Sequence, residues 1–551
     1  MKKYFKTKVQ SLGIMLFIAL AVSGISCKKF LEPTPKDVVL ESNFPKNYWD
    51  AEFMLRGVYQ AMQPLVNYRV VLGEMKADWV TPGPGANNDI LELANHKVTD
   101  QNHYTDWQPF YTLINRANYA IKNIPRIPLD SNYFSSFIRN QYIGEARFLR
   151  CYGYFHLIQN FDKVPFIWEA IDDISKVDTL FKIPPSSQDV ILDSLEADLK
   201  KAFAATDVNI YVPNSFDAGF RMSGEQTIMR VRKQAVAGLQ AEIYLWRNKY
   251  ADAVAACQAY YNTGIDNVPG SGNAAWFDIF RYNFDATSYV YGEQIFRIKF
   301  DFKARETNDL MMLTSNDPAS GGRYMIAPSL NGIKTYNPYY PDSLPNNNLA
   351  NEIYRGFGAS YTGSAPYYNR LKSDPVIWKF LGLATVTPGV IDVPQTLRAP
   401  YQSDYQFHIF RQADLYLLWA EALNRAGDKA NAISRINLIR GRAGMPTATT
   451  VNRANDTISV NSSVEKIENY ILRERGLELG YEGRRWYDLM RMARHRGTSL
   501  TSPDTQFIID AIKKRAPSSL YSYLQSTLSD VKNLYLPYNS EEKKLNPKLI
   551  K

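Results

Sequence analysis

Apolar residues recur every three or four positions along most of the chain, the spacing of one buried helix face. Asn47 to Met62 predicts a helix whose buried stripe is Phe53, Leu55, Val58, Tyr59 and Met62. The same period returns over Asp106–Ile124, is stopped by Pro125 and Pro128, and resumes over Tyr133–Phe161. Ser187–Ala204, Arg232–Arg247 and Ala251–Tyr261 follow. Later come Phe410–Arg425, Lys429–Arg442 and Ser463–Arg494, the last interrupted near Gly483.

Two of these pairs read as helical hairpins. Arg232–Arg247 turns at Asn248–Tyr250 into an Ala-rich partner, and Phe410–Arg425 turns at Gly427-Asp428 into Lys429–Arg442. Ala235, Ala237, Gly238 and Ala241 are small enough for close helix contact. Such pairs have tetratricopeptide character, and each leaves an apolar face that must be covered by the next. Between them, residues 262–405 are rich in Gly, Pro, Asn and Tyr, with β-like pieces such as Glu293–Phe300. The predicted fold is all-α: tetratricopeptide-like hairpin repeats over about 51–261 and 406–494, with a loop-rich insert over about 262–405. Residues 51–551 read as one domain. A loop this long is more often functional than idle, and its aromatic load argues against disorder.

The start of the chain differs. Residues 1–12 carry four Lys and no acid, Gly13–Val22 is apolar or small, and Ser23-Gly24-Ile25-Ser26 precedes Cys27. This is a secretory leader over 1–26, too short for a membrane span. Cys27 stands where a bacterial lipoprotein is acylated, which makes 27–50 a lipidated tether. Loss of the leader's four lysines lowers the formal charge from +9 to +5, mild for 551 residues, and no basic run suggests nucleic acid. Cys151 and Cys257, the only other cysteines, are expected to be buried free thiols. The five histidines show no metal spacing.

Several stretches resemble one family. GEARFLRCYGYFHLIQNFDKVPF (144–166), FRQADLYLLWAEALNRAGD (410–428), INLIRGRAGMP (436–446) and ILRERGLELGYEGRRWYDLMR (471–491) are similar to the SusD/RagB nutrient-binding lipoproteins, as are WQPFYTLINRANYAI (107–121) and LYLPYNSEEKKLNP (534–547). The resemblance implies four tetratricopeptide-like repeats and a variable region carrying the ligand site. It implies attachment to the outer membrane through lipid on Cys27, facing the cell exterior. It implies an oligosaccharide ligand, or a peptide in some members. It also implies a SusC-like TonB-dependent transporter as partner, to which cargo passes without chemistry.

Glu474, Glu478 and Glu482 fall at i, i+4 and i+8, and Glu478 with Glu482 could serve a glycoside hydrolase. Interleaved Arg473, Arg475, Arg484, Arg485 and Arg491 favour an ion-pair network instead, which keeps carboxylates ionised rather than poised as acids. No nucleophile elbow or phosphate loop appears, so no enzyme is expected. No cofactor is expected either, although loop Asp and Asn side chains would suffice for a structural calcium. A sugar site needs flat rings against C–H faces and planar polar groups on the hydroxyl rim. Trp79 with Asn87, Asn88 and Asp89 is the first such set, with a buried loop anchor as the alternative role of Trp79. Tyr324, Tyr336, Tyr339, Tyr340, Arg355 and Tyr361 in the insert are the second. Trp107, Trp246, Trp419 and Trp486 lie in repeat helices and are expected in the core.

Overall fold

The computed structural model describes residues 44–549 apart from 131–132, 173–181, 210, 213–219, 222–228, 265–292, 302–303, 337–374, 384–395, 398–405, 444 and 451–456. Asn47–Lys551 is one compact unit; of the other, Met1–Lys46, only 44–46 are among the described residues. The leader, Cys27 and most of the insert therefore lie outside the described residues.

The described helices are α1 (Tyr48–Gln60), α2 (Leu65–Glu74), α3 (Asn88–Ala94), α4 (Gln108–Asn123), α5 (Ser136–Phe161), α6 (Gln188–Ala205), α7 (Lys233–Trp246) and α8 (Tyr250–Tyr261). After them come α9 (Leu310–Thr314), α10 (Leu330–Tyr336), α11 (Gln412–Arg425), α12 (Lys429–Arg442), α13 (Val464–Leu479), α14 (Arg485–Arg496), α15 (Thr505–Lys513), α16 (Tyr521–Leu528) and α17 (Ser540–Leu545). Their starts follow local chemistry. Asn47 caps α1 by accepting from Trp49 N at 2.9 Å, and Asp50 accepts from Asn47 N in return. Ser135 caps α5 by accepting from Ile138 N, and Pro109 opens α4.

The predicted hairpins are present. Asn248, at φ +57°, turns α7 into α8; Gly427, at φ +94°, turns α11 into α12, whose cap is Asp428. A side chain at Gly427 would be strained, which is why glycine stands there. Packing runs continuously through α1, α4, α5, α6, α7, α8, α11 and α13, with α12 against α11. The pair α8–α11 joins hairpins that flank the insert. Tyr244, Leu245, Cys257, Leu418, Trp419 and Leu423 form their shared core. Trp107, Trp246, Trp419 and Trp486 are buried, as are the free thiols Cys151 and Cys257.

One element departs from its periodicity. On α1 the buried face is Ala51, Leu55 and Val58, continued by Met62 after the helix, whereas Phe53 is 60% exposed. Phe53 sits half a turn from Leu55, so a single narrow stripe cannot hold both.

The base of the insert is closed by an antiparallel pair. Strands β2 (Gln294–Ile298) and β4 (Phe407–Arg411) match Phe407 to Ile298 and Arg411 to Gln294. Earlier, β1 (Val80–Pro82) pairs with β3 (Ile326–Pro328). Beneath β4 lies a buried charged cluster. Arg411 reaches Glu293 at 3.1 Å, Glu478 at 2.6 Å and Glu482 at 2.9 Å, and Lys379 Nζ reaches Glu482 at 2.7 Å. Arg440 pairs with Glu474, Arg442 with Glu293 and Glu478, and Arg475 with Asp414 and Asp488. Glu293 with Arg411 and Arg442, and Lys379 with Glu482, thus staple the insert to the repeats.

Candidate functional site

The chain segments holding the two predicted sugar-binding sets are joined by the β1–β3 pairing. Gly83 N donates to Met325 O at 2.9 Å and Gly85 N to Tyr324 O at 3.1 Å. A Cβ at Gly85 would stand 1.7 Å from Arg323 O, so only glycine permits this approach. Among the described rings, however, Trp79 and Tyr336 do not face outward.

Trp79 is 2% exposed, and its indole lies against Gly476 and Gly480. The Arg485 guanidinium, paired with Asp78 at 2.7 Å, stands 4.9 Å over the same ring. Trp79 is thus the loop's buried anchor, which corrects its expected role as a stacking surface. Tyr336 is corrected likewise: it is fully buried, and its hydroxyl donates to Gly476 O at 3.1 Å. Tyr324 packs on Met311, Val376 and Leu381 and donates to Pro375 O at 2.6 Å. Trp79 and Tyr336 are drawn inward because a large aromatic surface gains more from burial than from water, whereas Tyr324 is half-buried.

The polar members are partly committed. Asn87 caps α3 by accepting from Ile90 N at 3.1 Å. Asp89 accepts from His103 N at 3.1 Å and from Asn87 Nδ2 at 3.3 Å. Asn88 is exposed at the start of α3. Tyr339, Tyr340, Arg355 and Tyr361 lie outside the described residues.

Asp89 and His103 lead to a groove of about 820 Å³ between the α1–α2 turn, the start of α4 and residues 304–309. Gln60, Gln63 and Asn67 supply amides from the α1–α2 side, and Asp106, Thr112 and Arg116 line the groove from the start of α4. Arg116 Nη1 donates to Gly57 O at 2.8 Å and to Gln60 Oε1 at 3.3 Å. Asn67 Nδ2 donates to Asp309 Oδ2 at 3.3 Å, and Gln63 Nε2 to Lys299 O at 2.9 Å. His103 is exposed in the groove, its ring 5.6 Å from that of buried Tyr68. The result is an open depression with one exposed flat ring, several planar amides, the three carboxylates of Asp106, Glu306 and Asp309 and the guanidinium groups of Arg116 and Arg305. Such a set can bond a hydroxyl rim and cover an apolar sugar face. The groove residues were not among the predicted site. The amide spacing Gln60, Gln63, Asn67 and the polar run Gln101–Asp106 before Trp107 were the available signals.

A second cavity, of about 190 Å³, lies between Trp107, Tyr111, Ile114, Ile167 and Leu549, with Glu542 at its edge. Burial pushes the Glu542 carboxyl up, against a hydrogen bond from Trp107. Among the described residues no group of three or more His, Cys, Asp or Glu could hold a metal ion, and no helix is long and apolar enough to cross a membrane.

The carboxylates that would serve a glycosidase are structural. Glu474 and Glu478 are fully buried and Glu482 nearly so. Burial pushes the Glu482 carboxyl up, but the charges of Arg411 and Lys379 outweigh it and hold it at about 2. A general acid needs the opposite shift.

Comparison with known proteins agrees with the fold. The profile of the SusD family matches residues 333–551, and that of a family described as starch-binding and associating with the outer membrane matches residues 29–245. SusD-like protein P38 of Formosa agariphila is 28% identical over 509 residues, covering 89% of this chain and 92% of that protein. A SusD-like protein of Bacteroides ovatus is 24% identical over 537 residues, 90% of this chain and 84% of its own. Among solved structures, a SusD superfamily protein of Bacteroides thetaiotaomicron aligns with TM-score 0.66 at 20% identity, covering 91% of this chain and 97% of the other. A laminarin-binding SusD-like protein aligns with TM-score 0.62 at 19% identity, covering 91% and 98%. The matched regions, the repeat packing and the motif order agree: the chain belongs to the SusD family.

Proposed function

We propose that the protein is a non-catalytic, lipid-anchored receptor on the outside of the outer membrane that binds an oligosaccharide in the groove beside His103. It hands the cargo to a SusC-like TonB-dependent transporter. The observation that carries the reading is the groove itself, whose ring, amides, carboxylates and guanidinium groups suit a polyol. Relatives of this family include a protein described as binding laminarin, which makes neutral glucans the first ligands to try. The ion pairing of Glu478 and Glu482 supports binding without turnover. Few groove charges are buried, so affinity should be on the order of micromolar to millimolar, or ~4–8 kcal/mol.

The test is calorimetry of the mature protein against a panel of neutral glucans, acidic oligosaccharides and peptides, repeated with Arg116→Ala. Saturable binding of one glycan class, weakened in the variant, is the expected result. Binding of peptides alone would replace the sugar reading. Unweakened glycan binding in Arg116→Ala would move the site away from this groove. Recovery of a transporter barrel with the protein from solubilised membranes tests the hand-over.

A further inference from the structure

The outward stripe of α1 is Trp49, Phe53, Arg56 and Gln60. Trp49 and Phe53, one helical turn apart, are each 60% exposed, more than any other large hydrophobic side chain described. Single exposed apolar residues are ordinary, but two adjacent aromatics on one convex helix mark a contact surface. Tyr48 packs on Phe134 at 6.2 Å, which brings the loop carrying exposed Leu129 and Tyr133 beside the start of α1. The stripe changes character along its length. Its first half is aromatic, Arg56 pairs with Glu52 at 2.8 Å, and Gln60 lines the groove.

The place of the patch in the chain indicates what covers it. Only about 20 residues separate Cys27 from α1, a length of chain that reaches no further than ~70 Å even when fully extended. An acyl group on Cys27 would therefore hold this end of the body near the bilayer. Tryptophan favours the membrane–water boundary, where its ring is half in hydrocarbon and its N–H stays hydrated. Phe53 adds apolar area one turn on, and Arg56 can extend its head toward phosphate while its stem stays apolar.

We propose that Trp49 and Phe53 form a second membrane contact, seated among the lipid headgroups beside the anchor. The inference rests on the lipoprotein reading of Cys27. A single acyl anchor by itself does not fix the body's orientation; a second contact on α1 does. Gln60, and with it the groove, stands ~16 Å further along the helix, away from the aromatic end.

The test uses the protein processed from its own leader, purified from membranes and reconstituted into phosphatidylcholine vesicles. The lipid is either unmodified or brominated near the headgroup end of its acyl chains. Mass spectrometry of the N-terminal peptide reports whether Cys27 is acylated. The fluorescence lost on Trp49→Phe, taken as a difference spectrum, should be quenched by brominated lipid. Adding Phe53→Trp to that variant should restore a quenchable signal, and both variants should unfold at the wild-type temperature. Acylated Cys27 with neither position quenched overturns the membrane contact and leaves the lipoprotein reading standing. Unmodified Cys27 overturns both. Quenching absent with lipid alone, but protection of Trp49 when a transporter is present, would make the patch a protein interface and overturn the proposal.

Discussion

Trp79 lies edge-on to Tyr336, with ring centroids 5.5 Å apart at 73°, and both rings are sealed beneath the α13 glycines. The contact ties the end of β1 and helix α10 to the last repeat helix. A Cβ at Gly476 would stand 2.4 Å from the indole.

Gly476→Ala should therefore destabilise by overpacking, by ~1–3 kcal/mol, and Trp79→Ala by ~3–5 kcal/mol through the cavity it leaves. Urea unfolding followed by circular dichroism measures both. A Trp79→Ala protein of wild-type stability that no longer binds glycan would return Trp79 to the ligand site.

The cluster around Arg411 makes stability acid-sensitive. Glu482 in that cluster is held at about 2 in the folded protein, and so are two carboxyls of other buried ion pairs, Asp488 beside Arg475 and Arg491 and Glu468 beside His495 and Arg425. Unfolded carboxyls titrate near ~4. Depressed folded values add stability that is complete above that range and lost as pH falls from ~5 toward 2. Glu482→Gln should be less stable than wild type by ~3 kcal/mol at neutral pH, because Arg411 and Lys379 lose a buried partner. The difference should shrink as the solution is acidified to pH ~3, where the wild-type carboxyl also begins to lose its advantage. Equal stability of the two proteins at neutral pH would contradict the cluster's structural role.

Glu74 behaves oppositely. Burial pushes its carboxyl up to about 8, against hydrogen bonds from Arg484 N and Gly483 N. A raised folded value adds stability present below the unfolded value and lost as pH rises through the folded one. Between pH ~5 and 8 the wild type should lose up to ~1.4 kcal/mol per pH unit through this group. Glu74→Gln keeps an acceptor for both amides and cannot titrate. Its stability relative to wild type should therefore rise with pH, and thermal melts at three pH values would show it. Parallel pH profiles for the two proteins would exclude a neutral Glu74.

In the groove, His103→Ala should weaken glycan binding on the order of tenfold, or ~1.4 kcal/mol, without lowering the unfolding temperature, because the ring is exposed. Calorimetry with a matched thermal melt separates these effects. A lowered melting temperature with unchanged affinity would make His103 a packing residue.

The sequence determined the repeats. Apolar spacing, the Asn248 and Gly427 turns and the caps at Asn47 and Ser135 act within a few residues, so each hairpin could be read from its own segment. That Glu474, Glu478 and Glu482 are ion-paired was legible, but their partners are not the interleaved arginines: Arg440, Arg442, Arg411 and Lys379 reach them from other segments of the chain. Tertiary structure decided which rings face water. Trp79 is buried because Gly476 and Gly480, some 400 positions away along the chain, leave room for it, and Phe53 is exposed because Ala51 and Leu55 take the inner face of α1. The groove also joins segments far apart in the chain, α1 and α2, α4 and residues 304–309. Local patterns record what a residue needs from its neighbours in sequence; they do not record which distant surface covers it. Which rings and polar groups are left exposed was therefore settled only by packing.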